Sequence, residues 1–430
     1  MKKKVCIIKL CCFLLFGMLL GCSNNPESAN KKMELTYWTM FGGGDAAYMQ
    51  EIVNQFNETH PNIRVKNIQL AWDEYYTKLV TGFAAGKGPD IAVSHVSRLP
   101  QLVNLEIVSE LDPLAEKMDI EWETFNQNIL DATMFRNKHY AIPIDTHPLI
   151  FYYNKKHLKT AGLLDESGKP IMEQSPQGFI DFFIRLKEAL PKDVITYSFP
   201  TSGDDPYRLW WALYHQLGGD GILSEDLQSP DIDFDKAIEA ANYMKALYHD
   251  YKVIPLHIGD FYQMFQSGSA AVLTTGVWAT GIWEQTKDLQ FGALPLPNIF
   301  EKEATWGDSH TLILPKNQNA SLERQKAAIT FANFVAEKTQ IWAKAGHIPA
   351  KDTVVKSKEF KEMPYRSEYA NAADNVAFPE KSVNNWPVKD ILIRNLDTIW
   401  NGSASPEEAF RKIDQEIGDL LDKSLLTESP

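Results

Sequence analysis

The sequence predicts an α/β fold in two lobes, and three observations lead there. Over the first hundred residues, short stretches of period two alternate with longer stretches of period 3.6. That alternation argues for a mostly parallel sheet carrying helices on both faces. The later chain is richer in helical periods. At 430 residues it also exceeds the size at which a single hydrophobic core divides.

The elements follow in order. Lys2, Lys3 and Lys4 form a basic head, and residues 10–20 are an apolar run that ends at Gly21-Cys22. Eleven residues cannot span a bilayer, which needs about 20. The run has the size and flanks of a secretory signal over residues 1–21. Leu19-Leu20-Gly21-Cys22 resembles a bacterial lipobox, which implies diacylglycerol on the Cys22 sulfur and cleavage just before it. Cys6, Cys11 and Cys12 would leave with the signal, so the mature chain would have no disulfide. The signal's four lysines, with no acid, would leave too and take the net charge from -13 to -17. Such a charge disfavours nucleic acid, whose phosphates need a basic surface. Residues 22–32 carry no apolar period and read as a flexible tether.

Beyond the tether, Leu35, Tyr37 and Thr39 alternate as a strand. Met49, Ile52, Val53 and Phe56 then recur at helical spacing, with Asp45 as the expected N-cap. His60-Pro61-Asn62 breaks that helix, and Ile63 and Val65 alternate again. A helix over 75–83 and a turn at Gly86-Lys87-Gly88-Pro89 lead into the buried strand DIAVS. Ligands of such sheets bind beyond the strand carboxyl ends. Trp38, Phe41, His95 and Ser97 lie at two of those ends. Further on, Trp210, Leu213, Tyr214 and Leu217 share one helical stripe that stops at Gly218-Gly219. Trp210 and Trp211 face about 100° apart on a helix, so at most one is expected in the core. FDKAIEAANYMKALYHDY and SLERQKAAITFANFVAEK are helical. A last helix follows Pro406, with Phe410, Ile413, Ile417 and Leu420 on its apolar side.

Six segments, in one order, carry a resemblance: LTYWTMFGGGDAAYMQEIVNQFNETHPNIRV, AAGKGPDIAV, YAIPIDTHPLIFYYNKKHL, FQSGSAAVLTTGVW, FGALPLPN and GHIPAKDTV. Together, and behind a lipobox, they resemble the extracellular solute-binding proteins of family 1. These are the substrate-binding subunits of ABC sugar importers, with the maltose-binding proteins as distant relatives. The family often carries TWDEF where this chain reads SPQGFIDFF, so Gly178 implies a local change there. The resemblance implies a two-lobed periplasmic-binding-protein-like fold of type II, with a ligand cleft between lobes joined by hinge crossovers. The first lobe would comprise 33–142 and 292–345, the second 146–290 and 346–430, with YAIPIDTHPLIFYYNKKHL as the first crossover and FGALPLPN as the return. It further implies a monomer that works with ABC permease subunits, needs no cofactor and is no enzyme.

A sugar presents an apolar C–H face to flat aromatics and hydroxyls to planar donors and acceptors, since an unpaired buried polar group costs about 1–3 kcal/mol. By the resemblance, Trp278 of G-x-W stacks on a sugar ring, and Asp145 is a hinge acid that accepts hydroxyls. Trp386 would close the far end of the cleft. Asp45 stands at the mouth of the first helix, and Trp72 covers the same edge. Trp210 is the indole expected to reach the cleft. Trp306, Asp308 and His310 alternate along TWGDSH and would face one way. The expected ligand-binding set is therefore Trp38, Phe41, Asp45, Trp72, His95, Ser97, Asp145, Trp210, Trp278, Trp306, Asp308 and Trp386. His95 with Asp308 and His310 offers metal-ligand types, but without a histidine or cysteine pair at ligand spacing no metal site is expected. Arg98 and Arg208 leave an acidic sugar open. The alternatives are an exported carbohydrate-active enzyme using two carboxylates about 5–10 Å apart, and a binding protein for a non-sugar solute.

Overall fold

The computed structural model of the chain describes residues 32–317 and 320–428. The signal segment, Cys22 and the tether up to residue 31 lie outside the described residues. Among those described, no helix is long and apolar enough to cross a membrane.

Two mixed sheets form the centres of two lobes, where the sequence pattern suggested one mostly parallel sheet. The first has the strand order Ile63–Gln69, Met33–Thr39, Ile91–His95, His310–Ile313, Ile142–Pro143. Its first three strands are parallel, and His310–Ile313 runs antiparallel to Ile91–His95. The period-two residues Leu35, Tyr37 and Thr39 are buried, as are Met49, Ile52, Val53 and Phe56 of the helix Gly43–Thr59. Tyr37 and Phe56 pack edge-on against Phe331 of the helix Leu322–Glu337, which closes this core.

The second sheet has the order Phe291–Pro295, Leu149–Asn154, Ala270–Gly276, Ile195–Ser198. Leu149–Asn154 is antiparallel to both neighbours. The chain reaches it within six residues of the first sheet, too short a link for the crossover helix that parallel strands need. Around one face pack the helices Pro176–Ala189, Asp204–Gln216, Phe234–His249, Asn385–Trp400 and Pro406–Glu428, sharing one core. Gly178 sits in the first turn of Pro176–Ala189, where its N–H is capped by Ser175 Oγ. A Cβ there would collide with Glu173, so glycine is required locally.

The expected boundary at 292 is corrected. Phe291–Pro295 pairs along its length with Leu149–Asn154 and belongs to the second sheet. The chain returns to the first sheet only at His310–Ile313. The first five residues of FGALPLPN are therefore a strand and not a crossover, and the buried Phe291 packs against Trp283 and Tyr365, on the face of the second sheet away from the helices named above. Three segments link the lobes: around Asp145–Thr146, around Trp306–His310, and around Ile348–Pro349, the first and last pairing antiparallel.

Candidate functional site

Between the lobes lies a cleft of ≈ 600 Å³. The first lobe contributes Asp45 from the first turn of Gly43–Thr59, Trp72 from the start of Trp72–Ala84, His95 from the end of the strand Ile91–His95 and Ser97 from the turn just past it. The second contributes Arg208, Tyr262, Trp278, Trp386 and Lys389, and the crossing segments add His147, Trp306, Asp308, His310 and His347. Strand ends and helix starts thus converge on one gap, as open α/β sheets dictate.

The cleft walls are aromatic. Trp72 is 52 % exposed, stands edge-on to His95 at 5.1 Å, and lies 6.4 Å from Trp386. Opposite, the Trp278 ring lies over Gly276, where any Cβ would intrude. Its Nε1 donates to Tyr262 Oη at 3.1 Å, which fixes the plane of the indole. The Arg208 guanidinium sits 5.0 Å from the Trp278 ring and 4.5 Å from the Trp306 ring. Its charge is taken up by Asp205 at 2.6 Å, and Lys389 is held by Asp204 at 3.1 Å.

Polar groups line the floor. Asp308 accepts from Ser97 Oγ at 2.5 Å and from the Ser97 and Ser309 N–H groups. Burial, with His310 alongside, pushes His147 down to about 4 and His95 well below the ordinary histidine range, so both present neutral imidazoles at neutral pH. His347 moves the other way: burial opposes its charge, but the Asp145 and Asp45 carboxylates outweigh that.

The description "Bacterial extracellular solute-binding protein" matches residues 42–341. The chain belongs to that family. It is similar to the arabinooligosaccharide-binding protein of Halalkalibacterium halodurans, with 24% identity over 76% of this chain and 74% of the relative. It is also similar to the maltodextrin-binding protein MdxE of Bacillus subtilis, at 26% over 69% and 68%. The solved sugar-binding protein MalE of Xanthomonas citri shares the fold with a TM-score of 0.80 at 16% identity, covering 93% of this chain and all of that one. The fold is that of the type II periplasmic binding proteins.

In this solute-binding protein eight of the twelve expected residues meet in the cleft: Asp45, Trp72, His95, Ser97, Trp278, Trp306, Asp308 and Trp386. Four do not line it. Trp38 points to the opposite face of its strand from Tyr37 and packs under Gly82 of the helix Trp72–Ala84. Phe41 is buried behind the floor, 4.5 Å from Trp342 and 5.0 Å from His310. Trp210 and Trp211 are both buried in the second lobe. Helices surround their helix on more than one side, and each indole N–H is satisfied by a carbonyl, of Ala237 and of Ala377. Asp145 is wholly buried beneath the floor, where His310 N–H and Trp342 Nε1 donate to it. It has no face open to a hydroxyl. Asp45 does not cap its helix: Gly42 holds the N-cap position, and Asp45 instead lies 3.5 Å from His347 Nε2.

Sequence reading passed over His147, Tyr262 and His347. His147 stands two residues after Asp145, on the same side of an extended chain, and that spacing was the available signal. Tyr262 and His347 left none.

Proposed function

We propose that this chain binds a neutral oligosaccharide in the cleft and delivers it to an ABC-type importer, without chemistry of its own. The single observation carrying the reading is the pairing of indoles from both lobes, Trp72 from one and Trp278 and Trp386 from the other, with Trp306 of a crossing segment beside them, around a polar floor. Stacking takes up the apolar faces of the rings, and the floor takes up hydroxyls as the lobes exclude water. Neutrality is supported by the pairing of Arg208 with Asp205 and of Lys389 with Asp204, which leaves neither cation free for a carboxylate guest. Relatives named for arabinooligosaccharide and maltodextrin binding support the sugar class. In this reading the chain acts as a monomer on the outer face of the cell membrane. Lipid on Cys22 moors it there, at about 0.8 kcal/mol per buried CH₂.

A thermal-shift screen of the chain against neutral oligosaccharides, with uronic oligosaccharides beside them, tests the reading. A sugar at 100 times its dissociation constant adds about 2.7 kcal/mol of stability. The expected result is a shift with a neutral sugar, confirmed by calorimetry, and no hydrolysis product after prolonged incubation. A response to uronic sugars alone, or to none, overturns the reading.

A further inference from the structure

Under the cleft floor, four side chains from all three lobe crossings meet. Asp145 and His147 come from the first crossing, His310 from the second and His347 from the third. All four are buried, and one donor atom from each lies within 4.8 Å of the others. The three Nδ1 atoms surround the Asp145 carboxylate: His310 at 2.8 Å, His147 at 3.1 Å and His347 at 3.4 Å.

We propose that Asp145, His147, His310 and His347 form a site for one divalent transition-metal ion, with zinc the preferred occupant. Three imidazoles and a carboxylate are a zinc donor set, and bonds of about 2.0–2.1 Å place tetrahedral donors about 3.3 Å apart. The three nitrogen–carboxylate distances lie around that separation, and the remaining donor pairs lie within 4.8 Å.

Two independent features point the same way. His347 Nδ1 is buried and has no hydrogen-bond partner, although it faces the carboxylate. A buried ring nitrogen left without a partner is one that a metal could take up on displacing its proton. The other nitrogen of the same ring, Nε2, lies 3.5 Å from Asp45 Oδ2. A carboxylate on the far nitrogen of a metal-ligating histidine orients the ring and raises its basicity. Trp342 Nε1, donating to Asp145 Oδ2 at 2.6 Å, orients the carboxylate in the same manner.

Charge supplies the third argument. The only ion-pair partners within reach of buried Asp145 are these histidines, and no lysine or arginine contacts it among the described residues. The His147 and His310 rings stand 4.3 Å apart, and both are within 6 Å of His347. One divalent ion on three neutral rings would neutralise the buried carboxylate. The ion would tie the three crossings at the hinge, so metal and lobe movement become linked.

Zinc at this site needs no sugar in the cleft. The tag-free chain is stripped with chelator, equilibrated with zinc chloride, separated from free ion and assayed for metal. About one zinc per chain is expected, with a raised unfolding temperature that chelator reverses. The cobalt(II)-loaded chain should show the intense visible bands of tetrahedral coordination. His347→Gln, folded by circular dichroism, should lose the stoichiometric ion, and Asp45→Asn should weaken zinc binding by about 10–100-fold. A chain that retains no zinc and shows no thermal shift overturns the proposal. So does undiminished zinc binding by folded His347→Gln.

Discussion

Two tryptophans divide the residue scale. Trp278 is held in plane by Tyr262 and by the bare Gly276 beneath it, with one side turned to the cleft. Removing the indole leaves a sugar ring without its stacking partner. Trp278→Ala should therefore weaken the best oligosaccharide at least tenfold, about 1.4 kcal/mol, with an unchanged circular dichroism spectrum. Equal affinities in calorimetry would place the guest elsewhere. Trp210 makes the opposite case. Its ring stacks on Tyr214 at 5.4 Å and packs on Phe410 at 5.5 Å, fully buried. Trp210→Ala opens a core cavity and should cost about 3–5 kcal/mol in denaturant unfolding. Affinity of the folded fraction should not change, because no atom of Trp210 faces the guest.

At the scale of elements, the carboxylate of Asp397 ties helix Asn385–Trp400 to the start of helix Asp204–Gln216, beside the Lys389–Asp204 pair. Asp397 accepts the Gly203 N–H with both oxygens at 3.1 Å. Burial raises its pKa to about 6, the Gly203 donor opposes that, and Asp204 adds repulsion. The folded value lies above the unfolded value of about 3.9, so the folded chain holds this proton more tightly. Its contribution to stability is complete below pH 4 and is lost as pH rises through 6. Asp397→Asn keeps an acceptor for Gly203 and has no proton to lose. Compared with the parent, its melting temperature should gain steadily between pH 4 and 7. A constant difference across that range would remove Asp397 as the cause. This contact, like the site as a whole, shows where sequence reading stops. Period two marked Leu35 and Tyr37, and period 3.6 marked Met49 to Phe56, because each element has one buried side. The last helix was legible too, although Leu421 is buried there and Leu420 only partly. Trp210 and Trp211 misled because a helix packed on several sides has no single stripe to read. His147, His310 and His347 come from three distant segments, and only the hinge brings them together.

At the scale of the molecule the question is what holds the two lobes shut over the cleft. The three crossings form its floor, so closure must be secured at the mouth. There the helix Asn385–Trp400 of the second lobe touches the turn Val96–Arg98 of the first. Trp386 Nε1 donates to Ser97 Oγ at 3.0 Å, Asn385 Nδ2 donates to Ser97 O at 3.4 Å, and the Arg98 guanidinium lies 3.9 Å from the centre of the Trp386 ring. A net hydrogen bond contributes about 0.5–1.5 kcal/mol and an exposed cation–π contact about 0.5–1. The Trp386 contacts together favour the closed arrangement by about 1–2.5 kcal/mol, on the order of tenfold in population. A guest that touches both walls adds its own differential affinity to the same equilibrium. Trp386→Ala should therefore open the sugar-free chain, seen in solution scattering as a larger radius of gyration than the parent's. Saturating oligosaccharide should restore the parental compactness, at a higher sugar concentration, because the guest must now supply the energy that the mouth no longer does. A variant with the parent's radius both with and without sugar would mean that these contacts accompany closure without stabilising it.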